Sequence, residues 1–280
     1  MTAASDLLAI ADRAATYDGV DPLSEQTRLG LRHTEPQQVV TVDGALVAGA
    51  YVADDEAVEL VVDPQQRQRG HGARLLAEVL AAHPEARFWA HGDLPGAQAL
   101  AKAAGLVVIR NLWRMARDVD ATPAIEKPTV PTGFTARTFQ PGDEDAWLDL
   151  NARAFAYHPE QGRMTRADLD ERMAEPWWDP QGLILIFDDA TGALAASHWT
   201  KIAGDTPDEA EVYVVAVDPG HQGHGLGKVV TALGLAHLKD RGARTIDLYV
   251  EGDNDAAVAT YSKLGFQRVA VDVMYAAAEA

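Results

Sequence analysis

The chain has no cysteine among its 280 residues. That removes disulfides, thiolate metal sites and cysteine nucleophiles together. Basic residues are scarce, with 24 Lys and Arg against 42 Asp and Glu, a formal net charge of −18. Nucleic-acid binding needs clustered cations to displace counterions, so this balance excludes it as the expected function. A small anionic ligand stays open, because local N–H groups and one or two basic side chains suffice to hold it. No apolar run approaches the roughly 18 residues of a membrane helix, and no membrane partner is expected. The start, Met1 to Leu8, lacks the basic and apolar segments of a secretory signal, so a cytoplasmic enzyme is expected.

An apolar fraction of 47% is enough for sizeable cores, and the length suits two domains. Ser5 to Thr16 is expected to be a helix, with Ser5 as N-cap and Leu7, Leu8, Ile10, Ala11 and Ala14 on one face. A second short helix follows from Ser24. Gln38 to Val52 reads as a hairpin turning at Asp43-Gly44. Ala57 to Val62 is a strand, Ala73 to Ala82 a helix, Arg87 to Ala90 a strand, Ala97 to Ala104 a helix and Leu106 to Ala116 a closing strand. Residues 118 to 133 lose periodicity and carry Pro123, Pro128 and Pro131, which marks a linker. The expected division is 1–120 as first domain, 121–132 as linker and 133–280 as second domain.

The second part repeats the pattern. Strands are expected at Phe134 to Phe139, Leu183 to Asp188, Ala193 to Ile202, Glu211 to Val217, Thr245 to Val250 and Phe266 to Tyr275. Helices are expected at Glu144 to Phe155, Asp168 to Glu175, Leu226 to Lys239 and Ala256 to Leu264. Val62-Asp63-Pro64 recurs as Val217-Asp218-Pro219, and Gly70-x-Gly72 as Gly225-x-Gly227, each 155 positions later. That spacing indicates duplication of a whole domain. The order of elements implies an α/β (α+β) fold, each copy a mixed, mostly antiparallel sheet with one parallel βαβ step and flanking helices.

The loop Gln222-x-x-Gly225-x-Gly227 opens a helix after an apolar strand. Helix N-termini present unpaired N–H groups, and glycines let a phosphate approach them. A dinucleotide site is disfavoured, since Val230 stands where a third glycine belongs, and a P-loop lacks its G-K-[ST]. After one intervening strand comes Asn254-Asp-Ala-Ala257-x-x-x-Tyr261-x-x-x-Gly265-Phe266.

This combination resembles the GNAT superfamily of acetyl-CoA-dependent N-acetyltransferases. Both motifs are complete only in the second half. The first half keeps the loop as Arg67-x-x-Gly70-x-Gly72, but Leu94 and Ala101 stand where Asn254 and Tyr261 would be. The resemblance therefore implies tandem GNAT domains with a non-catalytic first copy. His158-Pro-Glu-Gln-Gly162, Glu175-Pro-Trp-Trp-Asp-Pro180, His198-Trp-Thr-Lys201, Glu211 to Val215 and Leu248-Tyr-Val-Glu251 resemble the mycothiol synthases within that superfamily. Members acetylate the cysteinyl amine of desacetylmycothiol, a cysteine–glucosamine–inositol conjugate.

The resemblance implies the following roles. Glu211 is the general base and Tyr261 the general acid, with Tyr249 as a rival acid. The substrate contacts are Glu25, Glu160, Lys201, Glu211 and Tyr249. The acetyl-CoA contacts are Val215, Ala216, Val217, Gln222, Gly223, His224, Gly225, Leu226, Gly227, Lys228, Asn254, Asp255, Ala256, Ala257, Val258 and Ala259. The first-half equivalents are Leu60, Val61, Val62, Gln68, Arg69, Gly70, His71, Gly72 and Ala73. Acetyl-CoA is the co-substrate, a small thiol-sugar the partner, and a monomer is expected.

The residues agree chemically with these roles. Amide formation needs a neutral amine, and an α-amino group with a pKa near about 8 can lose its proton to a carboxylate through water. If Tyr213, Val215 and Val217 share one face of their strand, Glu211 shares it too, unless a bulge near Val215 changes the parity. His221 and His224 make a poor metal pair in a loop without carboxylates, so no metal is expected. His158 reads as a turn residue, while Trp177, Trp178 and Trp199 read as core or pocket wall, with sugar stacking as the alternative. Two other functions fit the loop: acetylation of another amine, such as a protein N-terminus or polyamine, or a CoA-binding sensor without turnover.

Overall fold

The structure, a computed structural model, describes residues 2–156, 161–204 and 206–278. Along the chain come α1 (Ala3–Asp18), α2 (Glu25–Gly30), β1 (Gln38–Val42), β2 (Ala45–Val52), β3 (Ala57–Val62), α3 (His71–Ala82), β4 (Arg87–Ala90), α4 (Pro95–Ala103) and β5 (Leu106–Asp118). Then follow β6 (Phe134–Thr138), α5 (Glu144–Ala154), α6 (Arg166–Met173), β7 (Leu183–Asp188), β8 (Leu194–Lys201), β9 (Glu209–Val217), α7 (Leu226–Asp240), β10 (Thr245–Glu251), α8 (Asp255–Lys263) and β11 (Gln267–Ala277). The chain divides into two compact units. The first comprises Met1–Trp113, Glu251–Asp253 and Ala270–Ala280, and the second Arg114–Val250 and Asn254–Val269.

In the first unit the strand order is β1-β2-β3-β4-β11-β5, with β5 belonging to this unit as far as Trp113. The pairs β1/β2, β2/β3 and β4/β11 are antiparallel, and β3/β4 is parallel. Asp43 and Gly44 both take positive φ, 51° and 80°, the geometry of a two-residue hairpin turn. The apolar face read for α1 is the one that packs: Leu7, Ile10, Ala11 and Ala14 are buried. Its start is corrected, however. Thr2, not Ser5, is the N-cap, because the Thr2 hydroxyl accepts the Ser5 backbone N–H at 3.2 Å.

The first unit's last strand comes from the end of the chain, with Val273, Met274 and Tyr275 paired to Ala90, Trp89 and Phe88. A buried charge network ties it down. His91 lies 3.0 Å from Asp272 on β11 and 3.2 Å from Glu59 on β3. Burial opposes the charge on His91. The Glu59 charge and the hydrogen bonds that His91 donates to Asp272 and Glu59 overcome that, pushing its pKa up to about 10.

In the second unit the order is β10-β9-β8-β7-β6. The four strands β6 to β9 are mutually antiparallel, and β10 runs parallel to β9. The mixed, mostly antiparallel sheet flanked by helices is the one expected, and in each unit the pairs just described include one parallel step. Two cores flank the strands of the second unit. Trp147, Leu150, Leu169 and Trp199 pack beneath α5 and α6, and Ile184, Ile186, Leu226 and Val230 beneath α7.

Candidate active site

The glycine loop forms a cradle by local means. Asp218 closes the turn after β9, its Oδ1 accepting the Gly220 N–H at 2.8 Å, while Arg153 Nε donates to its Oδ2 at 2.7 Å. Gln222 is extended (φ −64°, ψ 154°), and Gly223 and Gly225 follow in the left-handed region at φ 84° and 75°. Gly225 is the N-cap of α7 and supplies no side-chain cap. The first helical bond there runs from Val229 N–H to the Gly225 carbonyl. The amides of Leu226, Gly227 and Lys228 are therefore the orphan donors of a helix start. A Cβ built on Gly223 or Gly225 would meet nothing within 4 Å. A bulky anion fits this open, donor-rich loop, as a CoA pyrophosphate requires.

His221 holds the loop from the side, 3.2 Å from both Asp218 Oδ1 and Asp188 Oδ2. Burial works against its charge, but these two carboxylates raise its pKa above the ordinary value. The first unit repeats the backbone: Arg67 is extended (φ −67°, ψ 164°), and Gly70 caps α3 at φ 84°. There the position of Gly223 is taken by Gln68, held at φ 60°. Arg67 is engaged elsewhere, donating to Asp18 at 2.8 and 2.6 Å.

Next to the second cradle the sheet opens. Strands β9 and β10 pair from Glu209/Thr245 to Val212/Leu248, and the register ends there although β9 continues to Val217. At the same point β9 bulges: Val212 faces Thr200 and Val214 faces Trp199, leaving Tyr213 unopposed. The bulge gives the strand the second of the two expected parities. Tyr213 joins Val214 and Ala216 in the core beneath α5, whereas Val215 and Val217 pack on the α7 side. Glu211, two residues before Tyr213, shares the Tyr213 face.

Glu211 sits in a row of charges across the sheet. It lies opposite Lys201 on β8 and beside Asp247 on β10. Asp247 Oδ2 accepts from Arg114 Nε at 2.7 Å. The Lys201 ammonium is 4.9 Å from the ring centres of both Trp177 and Tyr213. Tyr213 is fixed in turn by buried Arg172, whose Nε donates to the phenolic oxygen at 3.0 Å. Trp199 is fully buried core, and Trp177 is a partly buried wall packed on it. An open pocket of about 500 Å³ lies at this end of the unit, lined by Trp177, Asp179, Thr200, His237 and Arg241 among others.

Asn254 is the N-cap of α8, its Oδ1 accepting the Ala257 N–H at 3.0 Å. Asp255, Ala256, Ala257, Val258 and Ala259 form that helix's first turn and a half. Tyr261, further along α8, packs edge-on against Phe266, and burial raises its pKa above the phenol value. Tyr249 is 47% exposed on β10. Glu25 begins α2 in the first unit, where Leu60, Val61 and Val62 end β3, residues 68 to 70 lie in the first loop and His71, Gly72 and Ala73 open α3. Glu160 and His158 lie outside the described residues. Sequence reading missed Tyr213, Arg172 and Asp247, because a bulge and cross-strand partners leave no local signal.

The model of the Acetyltransferase (GNAT) family matches residues 145–266. The chain is 49% identical over 272 residues to the mycothiol acetyltransferase of Kytococcus sedentarius, covering 95% of this chain and 91% of that protein. It is 49% identical over 281 residues to that of Thermobispora bispora, covering 96% and 94%. Among solved structures, a tandem GNAT protein from the clavulanic acid biosynthesis pathway superposes with a TM-score of 0.72 at 20% identity, over 98% of this chain and 94% of that one. A GCN5-related N-acetyltransferase from Sphaerobacter thermophilus gives 0.69 at 22% identity, over 97% and 92%. These two likenesses establish the fold, and the near-half identity over nearly full length establishes more: the chain belongs to the mycothiol acetyltransferase family, within the GNAT acetyltransferases.

Proposed function

We propose that the second unit transfers acetyl from acetyl-CoA to the cysteinyl amine of desacetylmycothiol, giving mycothiol. The observation that carries this reading is the coincidence, on one strand, of three features. Glu211 stands just before the bulge, the opening between β9 and β10 begins at it, and the cradle follows the strand's end. A thioester anchored by the cradle through its pyrophosphate would lie along the opened edge, with Glu211 at its far end.

The amides of Leu226, Gly227 and Lys228 would hold the pyrophosphate, and Lys228 adds a cation to that turn. Acetyl-CoA supplies an activated acyl group. Glu211 takes the amine proton as attack proceeds, and Lys201 across from it meets the polar substrate. Tyr261, kept protonated by burial, returns a proton to the departing thiolate. Tyr249 is a further substrate contact on β10.

Acetylated product is measured by mass after incubation with acetyl-CoA and desacetylmycothiol, with polyamines and peptide N-termini as competing amines. Desacetylmycothiol should be the substrate with the highest kcat/KM. Exclusive turnover of another amine, or binding of acetyl-CoA with no turnover, overturns the reading. Glu211→Gln should lower kcat by about 10²–10⁴-fold; an unchanged kcat across the pH range removes it from the role.

A further inference from the structure

The bulge at Tyr213 does more than open the sheet. It places two consecutive side chains, Tyr213 and Val214, in the same core, and so brings the Tyr213 ring against Trp177 at 5.1 Å and Trp199 at 5.2 Å. Trp177 and Tyr213 meet at 63°, forming a two-walled notch. The Lys201 ammonium occupies that notch at 4.9 Å from each ring, inside the range where a ring's negative face attracts a cation. Arg172, 7% exposed, locks one wall by its bond to Tyr213. On its other side Arg172 Nη1 donates to the Asp168 carbonyl at 3.0 Å, which roots the wall in α6.

A lysine stem has four rotatable bonds and ordinarily samples many positions. Here the last residue of β8 is held with its charge beside the strand that carries Glu211. Fixing a cation before the substrate arrives removes an ordering cost from binding. We propose that Trp177 and Tyr213 are positioning residues for acetyl transfer, fixing the Lys201 ammonium where it engages the polar substrate alongside Glu211. This rests on the reading of Lys201 as a substrate contact.

The test replaces Trp177 with mono-, di- and trifluorotryptophan, which drains charge from the ring face with almost no change of shape. KM for desacetylmycothiol should rise stepwise, reaching about tenfold, while KM for acetyl-CoA and the thermal midpoint stay constant. In a Lys201→Met background the same series should be flat, because no cation remains to feel the rings. A flat series in the otherwise unaltered enzyme overturns the proposal, and so does a series that still climbs with Met at 201. A purely structural role for Trp177 gives one of those two results. Turnover of desacetylmycothiol by the unaltered enzyme is measured first. If that is present and the series is flat, the notch fails and the proposed reaction stands.

Discussion

At the scale of single residues, positive φ separates positions that need glycine from those that tolerate a side chain. Gly225 sits at φ 75°, where an L residue costs on the order of 1 kcal/mol. The space beside it is empty, so nothing else resists a methyl group. Gly225→Ala should therefore fold, lose about 1 kcal/mol in denaturant unfolding, and raise KM for acetyl-CoA with little change in KM for the amine. An equal rise in both constants would place the residue outside the cradle. Tyr261 follows a different logic. Burial raises its pKa, so its proton is retained through neutral pH, and Tyr261→Phe should lower kcat by about 10²-fold at every pH where the wild type is active. If Tyr249→Phe gives the larger loss, the two tyrosines exchange roles. The backbone of the glycine loop was legible in the sequence, because glycine spacing dictates backbone geometry within one loop and needs no distant partner.

At the scale of elements, the cradle is only as well placed as the helix it begins. Helix α7 lies close on the sheet because Gly234 faces His198 of β8: a Cβ at 234 would stand 2.0 Å from His198 Nδ1. That ring is fully buried and its Nδ1–H donates to the Val230 carbonyl at 3.0 Å. Gly234→Ala must push α7 outward, at a cost of about 3 kcal/mol, and should raise KM for acetyl-CoA through the displaced loop. His198→Ala should restore part of the stability lost, a coupling measurable in a double-mutant cycle. Additive losses would show that the two residues do not set the spacing. None of this was legible beforehand. The alternating pattern of Glu211 to Val217 gave the strand and left its parity open to a bulge near Val215, since a bulge is a property of the pair β8/β9 and not of β9. The joining of β11 to β4 was likewise invisible, because an apolar strand carries no label for its neighbour.

At the scale of the whole molecule, the two units hold buried histidines in opposite charge states. His91 is charged between Glu59 and Asp272 with a pKa of about 10, and His198 is neutral with its pKa lowered by burial to about 4. The signs of their linkage to stability are opposite. His91 has a folded pKa above its unfolded value of about 6.5, so its contribution is complete below that pH and is lost as pH rises through the folded value. His198 has a folded pKa below about 6.5, so its contribution is complete above that pH and is lost as pH falls toward the folded value. Hydrogen exchange, corrected for intrinsic rates, should find β3, β4 and β11 losing protection between about pH 7 and 10, by about tenfold or more. Strands β7 and β8 and helix α7 should hold over that range and lose protection on acidification instead. His91→Gln should flatten the alkaline loss in the first unit and leave the acid response of the second unchanged. If both units soften together at either extreme, the two histidines are not the groups that set the limits. If they soften separately, the working range for acetyl transfer is bounded in acid by the helix that carries the cradle, and in alkali by the strand that the chain's end lends to its beginning.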